Sequence, residues 1–356
     1  MVHHIRNSTR TTILAGFAVA GLAATVLSGC SGSAKAEGAD SGVTALRYQG
    51  WAEQVSLPEV AESLGYFNGK VKLDWVGNTI SGPQDIQSAA TGQTDFGGAF
   101  GGAVAKLESS GAAITAVINY YGGDDKAFTG YYVLNNSPIK NPADLVGKKI
   151  GVNTLGGQNE ADVYNRLSQA GLPYEQIKKA TLVPLPPPNT EDALRKGQID
   201  IAALGGQFQQ RAVAAGGIRP VFTEFEQYGA FNGGQYVFRD DFIKKHPQAV
   251  TAFVGGIGKA IEWERDTPRD QVIAQFTKII ESRKRPNETT KSLKFWLSVG
   301  VPSKYGVITD DDFSRWQNWL VASGAVKQPV DPSTLYTNKF NPNVAGATAT
   351  ATGGTS

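Results

Sequence analysis

Cys-His or Ser-His-Asp catalysis by this chain would have to come from very few residues. The 356-residue sequence holds one cysteine and three histidines, and nucleophilic catalysis by a Cys-His pair or a Ser-His-Asp triad needs a histidine beside the nucleophile. His3 and His4 stand in a basic leader. That leaves His246, in Lys244-Lys245-His246-Pro247, a charged helix start where a solvated ring is expected. No Gly-x-Ser-x-Gly elbow is present. Asp95-Phe96-Gly97 matches a kinase metal motif but lacks its His-Arg-Asp companion, so it reads as a strand end. Glycines 97, 98, 101 and 102 do not follow Gly-x-Gly-x-x-Gly, and no Gly-Lys-Ser/Thr comes after them, which argues against nucleotide binding. Asp310-Asp311-Asp312 lacks the ligand spacing of a calcium loop and should open a helix, where carboxylates favour the N-terminus. A single thiol excludes disulfides and cysteine-ligated zinc. The expectation is a protein with no catalytic residue, no metal and no cofactor.

The cysteine has another use. Arg6 and Arg10, with no acid beside them, precede an apolar run over residues 13–27. As a helix that run would reach about 22 Å, short of the roughly 30 Å of a bilayer core. A basic start, a short apolar run and small residues make a secretory leader. Its end, Leu27-Ser28-Gly29-Cys30, resembles the lipobox of bacterial lipoproteins, in which the cysteine is acylated and becomes the new N-terminus. Residues 1–29 are therefore expected to be removed, and lipidated Cys30 to begin a tether over 30–43 that is too polar and irregular to fold. The remaining chain carries 32 basic and 32 acidic side chains. No basic stripe remains for nucleic acid. The final segment, 341–356, is rich in Ala, Thr and Gly and reads as a disordered tail.

Strands and helices alternate between these ends. Residues 45–49 and 71–76 read as strands around a helix over 58–64, and Ser81-Gly82-Pro83 opens another helix. Thr91-Gly92-Gln93-Thr94-Asp95-Phe96 is echoed 105 residues later by Lys196-Gly197-Gln198-Ile199-Asp200-Ile201. The echo predicts two α/β lobes of similar plan. The runs 128–134 and 236–238 are expected to carry the chain between them, giving lobe I as 44–128 plus 236–340 and lobe II as 129–235. Helices are expected over 249–264, 270–282, 290–299 and 310–323, with Trp316, Trp319 and Leu320 as core.

Asn136-Ser137-Pro138-Ile139-Lys140, followed by residues 143–152 (ADLVGKKIGV), resembles the "NSPIK…ADLKGKKV" signature of solute-binding proteins for ABC importers of the nitrate, taurine and aliphatic sulfonate group. So do Gly92-Gln93-Thr94-Asp95-Phe96-Gly97, Gln169-Ala170-Gly171-Leu172 and residues 193–200 (ALRKGQID). The resemblance covers roughly 44–325. It implies a type II periplasmic-binding-protein-like fold: two α/β lobes, a two-strand hinge, a ligand in the cleft and closure presented to a permease.

The candidate binding residues are Trp51, Gln54, Ser81, Gly98, Ala99, Phe100, Tyr120, Gly157, Gln158, Asn159, Gly206, Gln207 and Phe208. They stand in loops beyond strand ends, where helix N-termini point backbone N–H groups outward. Similar proteins often carry Ser and Thr where this chain has Gly98 and Ala99, and a Trp-Asp pair where it has Gly205-Gly206. These changes are expected to remove hydroxyl donors and widen the site, against a ligand as small as nitrate. The loops contain no Lys or Arg, so an anionic head would rest on helix N-termini and neutral side chains. Trp51, Phe100, Tyr120, Tyr121 and Phe208 could stack on a flat ligand, Tyr121 and Phe208 being equally readable as core. Glu53 and Glu160 could receive an amine or simply cap helices.

The function this implies is capture of a small organic solute, sulfonate- or taurine-like or aromatic carboxylate-like, by a monomeric lipoprotein on the outer face of the bacterial cytoplasmic membrane that serves an ABC permease. Two alternatives share the fold. A thiamine-pyrimidine-type enzyme needs a cofactor-bearing Lys with an active-site His and a cysteine-rich motif, whereas the mature chain is expected to hold one His and no unmodified thiol. A ligand sensor for a membrane receptor would show the same sequence features.

Overall fold

The computed structural model describes residues 42–286 and 288–344. Cys30, the leader, the tether up to 41 and residues 345–356 lie outside the described residues.

The first half of the chain runs β1 (Thr44–Gly50), α1 (Leu57–Ser63), β2 (Val71–Asn78), α2 (Gly82–Ala90), β3 (Phe96–Phe100), α3 (Gly101–Ser109), β4 (Ile114–Gly123). The next stretch is β5 (Gly130–Leu134), β6 (Lys149–Val152), α4 (Gln158–Gln169), α5 (Tyr174–Ile177), β7 (Thr181–Pro184), α6 (Pro187–Arg195), β8 (Ile201–Leu204), α7 (Gly206–Ala215), β9 (Ile218–Thr223), α8 (Glu224–Tyr228). The chain then returns through β10 (Phe231–Arg239) to α9 (Asp240–Lys245), α10 (Pro247–Asp266), α11 (Arg269–Arg283), α12 (Asp311–Ser314) and α13 (Gln317–Ala322).

Helix starts follow local chemistry. Ser56 and Glu59 form a reciprocal capping box at α1, and the Ser81 hydroxyl accepts the Gln84 N–H at 3.3 Å ahead of Gly82-Pro83 at α2. Strands β7-β6-β8-β5-β9 make one sheet. In the other half β1 pairs with β2 and β3-β10-β4 form a second group, the two joined where the Asp95 N–H donates to the Arg47 carbonyl at 2.9 Å. The strand order is therefore the same in both halves, with β10 and β5 as the antiparallel inserts.

The 105-residue echo has a physical meaning. Asp95 donates its N–H to Arg47 and its carboxylate accepts the Arg47 N–H at 2.7 Å; Asp200 does the same to Lys149, at 2.9 and 2.8 Å. Each aspartate pins the neighbouring strand at the point where its own strand begins.

Phe96 centres the core of the first half. Its ring lies 4.6 Å from Phe253, 5.4 Å from Tyr236 and 5.8 Å from both Tyr48 and Phe238, so one side chain joins β1, β3, β10 and α10. Trp316, Trp319 and Leu320 are fully buried, with Phe100 wedged against both indoles. In the other half Tyr131 stacks on Phe222 at 4.1 Å, in a core shared with Ile150, Val152 and Ile201.

Several expected elements differ. Residues 290–299 form only a short turn at Leu293–Phe295: Trp296 packs edge-on to Phe276, and its carbonyl bonds the Arg269 side chain in place of a helical N–H. Residues 310–323 make two short helices, α12 and α13. Neither the 128–134 run nor the 236–238 run carries the chain across, because β5 begins at Gly130 and residues 236–238 lie within β10, each an inner strand; the crossings lie at 124–129 and 224–230, next to the paired ends of β4 and β10. Asn341, read as the start of a tail, is buried and donates to the Tyr305 carbonyl. His246 is exposed, as expected.

A buried ion cluster secures the loop after β1. Glu59 accepts hydrogen bonds from Arg283 at 2.9 Å, Arg285 at 2.7 Å and the Tyr48 hydroxyl at 2.8 Å. Burial alone would raise its pKa, but the two guanidiniums outweigh burial and hold it below the ordinary carboxylate range. Removing one member of such a cluster leaves uncompensated charge. Glu59→Ala should lose about 3–5 kcal/mol in urea unfolding at pH 7. A folded-state pKa below the unfolded one gives stability that is present above the ordinary value of 4.5 and lost on acidification. The gap between variant and wild type should accordingly close as the pH falls below about 4. A constant gap, or one under about 1 kcal/mol at pH 7, would show that Glu59 does not hold this loop in place.

Candidate functional site

A cavity of about 400 Å3 lies between the two halves. That is within the range of small-molecule sites. Of the expected residues, the structure places Trp51, Gln54, Ala99, Phe100, Tyr120, Gly157, Gln158, Asn159, Gly206, Gln207 and Phe208 along its wall. The starts of α4 and α7 face it with Gly157-Gln158-Asn159 and Gly206-Gln207-Phe208, offering backbone N–H donors that helix geometry leaves free. Gly206 has φ +51° and nothing within 4 Å of where a Cβ would stand, so the wall is open there.

Ser81 and Gly98 are not on the wall. Ser81 caps α2 and meets the Thr154 hydroxyl at 3.0 Å. At Gly98 a Cβ would come within 2.6 Å of Tyr120 Cζ, so the space expected to widen the site is filled by the tyrosine ring, stacked 4.0 Å from Tyr236. The missing hydroxyl makes room for an aromatic wall. Phe100 touches the cavity, yet its ring belongs to the Trp316 and Trp319 core.

Both rims are bridged. Gln207 Nε2 donates to the Glu53 carbonyl at 2.8 Å and to the Ser292 hydroxyl at 3.3 Å, while Asn153 donates to the Ile80 carbonyl at 3.2 Å beside the Ser81–Thr154 contact. Glu53, a candidate amine receiver, is engaged in this bridge and accepts from Ser292 at 3.3 Å. Glu160 accepts the Gly156 N–H at 2.8 Å as a helix cap.

Reasoning from sequence missed several wall residues. Tyr236, Phe276, Trp296, Phe128, Glu224 and Glu264 come from elements remote in the chain. Tyr121 donates to Gln158 Oε1 at 2.8 Å, Gln158 Nε2 donates to Glu224 at 2.6 Å, and Glu224 accepts the Thr129 N–H at 2.7 Å, a chain of bonds across the crossing segments. Close by, burial, followed by the charge of Glu224, holds Asp162 well above the usual carboxylate range.

Glu264 did have a signal. Ile257, Ile261 and Glu264 stand at i, i+4 and i+7 on α10, which puts an acid on the buried stripe. Its carboxyl lines the cavity with no hydrogen-bond or ion-pair partner among the described residues, and burial pushes its pKa up to about 8. Asp85 is raised to about 7 by burial, partly offset by the Gly98 N–H at 2.7 Å. Among the described residues there is no group of acids, His or Cys that could hold a metal ion.

The fold is that of the periplasmic binding proteins: two α/β halves and two crossings, with a partly open cavity between the halves. The sequence profile described as NMT1/THI5 like matches residues 59–271, more than half of the chain, and the protein belongs to that family. It is 26% identical over 211 residues to a protein of Escherichia coli K12 named for binding aliphatic sulfonates, covering 58% of this chain and 62% of that one. The structure is similar to the periplasmic aliphatic sulphonate binding protein SsuA from Escherichia coli, with TM-score 0.61 and 20% identity over 82% of this chain and 91% of that one. It is also similar to the desulfurization enzyme DSZB, with TM-score 0.56 and 17% identity over 85% and 99% of the two chains.

The raised acid at Glu264 has a measurable consequence. A folded-state pKa above the ordinary value of 4.5 means that the native protein keeps a proton the unfolded chain has lost, so stability falls as the pH rises from about 4.5 to 8 and stays reduced above that. Glu264→Gln should match wild type in thermal unfolding at about pH 4.5 and melt several degrees higher at about pH 9, since each tenfold change in proton affinity between the folded and unfolded chain is worth about 1.4 kcal/mol. Equal melting temperatures under the alkaline condition would show that the carboxyl is solvated.

Proposed function

We propose that this protein is the extracytoplasmic solute-binding component of an ABC importer, a monomer that closes its two halves around one small organic solute and hands it to the permease. The observation that carries this is the partly open cavity between two separately cored α/β halves, with helix starts and aromatic walls facing inward. An oxygen-rich group of the solute would lie at the starts of α4 and α7, and a flat portion against Tyr120, Tyr121 and Trp296. The relatives named for binding aliphatic sulfonates support the oxygen-rich group. The Gln207–Glu53 bridge and the Ser81–Thr154 contact are the bonds that would break on opening.

The lipobox-like Leu27-Ser28-Gly29-Cys30 supports attachment to the outer face of the cytoplasmic membrane through an acylated Cys30. Among the described residues no helix is long and apolar enough to cross a membrane. The likeness to DSZB keeps an enzyme on this fold in view. Among the described residues the only histidine, His246, is exposed at the start of α10, and the cavity wall holds no Cys, His or Lys. Binding is the reading those residues serve.

Protein purified from its native host should carry a small organic molecule detectable by native mass spectrometry. At about a hundredfold excess over Kd, that molecule should stabilise the emptied protein by about 2.7 kcal/mol. Turnover of the bound molecule would move the assignment to the enzyme. Cys30→Ala should release the protein from the membrane fraction with solute affinity unchanged; a variant still in the membrane pellet would refute the lipid anchor.

A further inference from the structure

Glu264 is the acid that the rest of the cavity leaves uncommitted. Glu224 has one oxygen on Gln158 and the other on Thr129, Glu53 accepts from Ser292, and Glu160 caps its own loop. The cavity wall contains no Lys or Arg. Arg283, which reaches the Gln54 carbonyl behind that wall, is matched by Glu59 and Glu288. Glu264 is 6% exposed, in the last turn of the 20-residue α10, where the helix dipole also disfavours a carboxylate. A buried carboxyl without a partner costs stability unless something pairs with it.

We infer that Glu264 recognises a protonated amine of the solute, so that the ligand is an amine-bearing organic molecule, either a plain aryl-alkyl ammonium or one that also carries an oxyanion at the α4 and α7 helix starts, and not a simple sulfonate or carboxylate. The inference rests on the solute-binding reading. An ammonium meets in Glu264 the one wall acid that accepts no hydrogen bond from the described residues, and its charge is opposed by no cation of the wall. A lone sulfonate would share the cavity with two glutamates and no basic side chain. Bound at the helix starts, it would leave Glu264 without an ion-pair partner.

The test is calorimetry on the full-length protein, purified from membranes and stripped of solute, with probes of one shape and different charge: phenethylammonium, phenylalanine as the zwitterion, phenethyl alcohol, phenethylsulfonate and phenylpropionate. The two ammonium probes should bind at least about tenfold more tightly than the alcohol or either anion, the range of one charge-assisted hydrogen bond. Glu264→Gln should remove that advantage and leave the alcohol within about twofold, while Glu264→Asp, which keeps the charge on a shorter stem, should retain part of it. Tighter binding of phenethylsulfonate or phenylpropionate than of both ammonium probes, or unchanged ammonium affinity in Glu264→Gln, overturns the amine assignment and leaves the solute-binding reading standing. Absence of binding by every probe, together with absence of any solute on protein from the native host, counts against both.

Discussion

The antiparallel pairing of β10 with both β3 and β4 ties the first sheet to residues that follow the whole of the second. Until β10 returns, β3 and β4 have no partner between them, and the aromatic cluster around Phe96 lacks Tyr236 and Phe238. In the other half β5 is likewise inserted between β8 and β9, but it precedes them in the chain, so that sheet is built from one continuous stretch, residues 130–223. Two crossings side by side follow from this, and a cavity follows from the crossings, because the helix starts beyond the strand ends of each half then face one another across the gap.

The cavity's chemistry is set by what stands just behind it. Glycine at 98 admits the Tyr120 ring, which stacks on Tyr236 and turns a place for a hydroxyl into an aromatic wall. Gln158 is held between Tyr121 and Glu224, and Gln207 bridges to Glu53, so the polar side chains on the wall are positioned by bonds to both halves. The strongest charges nearby, those of Arg283, Arg285 and Glu59, are consumed in a buried cluster that fixes the loop after β1. What remains facing the interior is helix N–H groups, rings and the carboxyl of Glu264.

Much of the architecture was legible because it is written in short-range patterns. The alternation of strand and helix, the caps at Ser56 and Ser81, the buried Trp316 and Trp319, and the echo at Asp95 and Asp200 are local features with local causes. Most of the loops expected at the cleft do reach the cavity, since beyond a strand end the next helix start has few places to go. The misreadings share a cause as well. Residues 290–299 have helical composition, yet the Trp296 carbonyl is satisfied by Arg269, 27 residues away in the chain, and the Trp296 ring is drawn to Phe276 on the cavity wall. Phe100 and Ser81 lie in the expected loops, but each is turned inward by partners that no local pattern specifies.

Composition and spacing were enough to define the class of molecule: an exported-looking leader with one thiol, two α/β halves of common plan, and loops without cationic side chains. Those features follow from residue type and secondary-structure period, which need no partner beyond the next few residues. Which side chains share one cavity was left to the long-range packing. Trp296, Tyr236, Glu224 and Glu264 come from four separate stretches, and their meeting depends on β10's return and the path of the chain after α11. The protonation of Glu264 was likewise undecided until folding buried it, because the cost of a charge is set by the water and partners that packing removes or supplies.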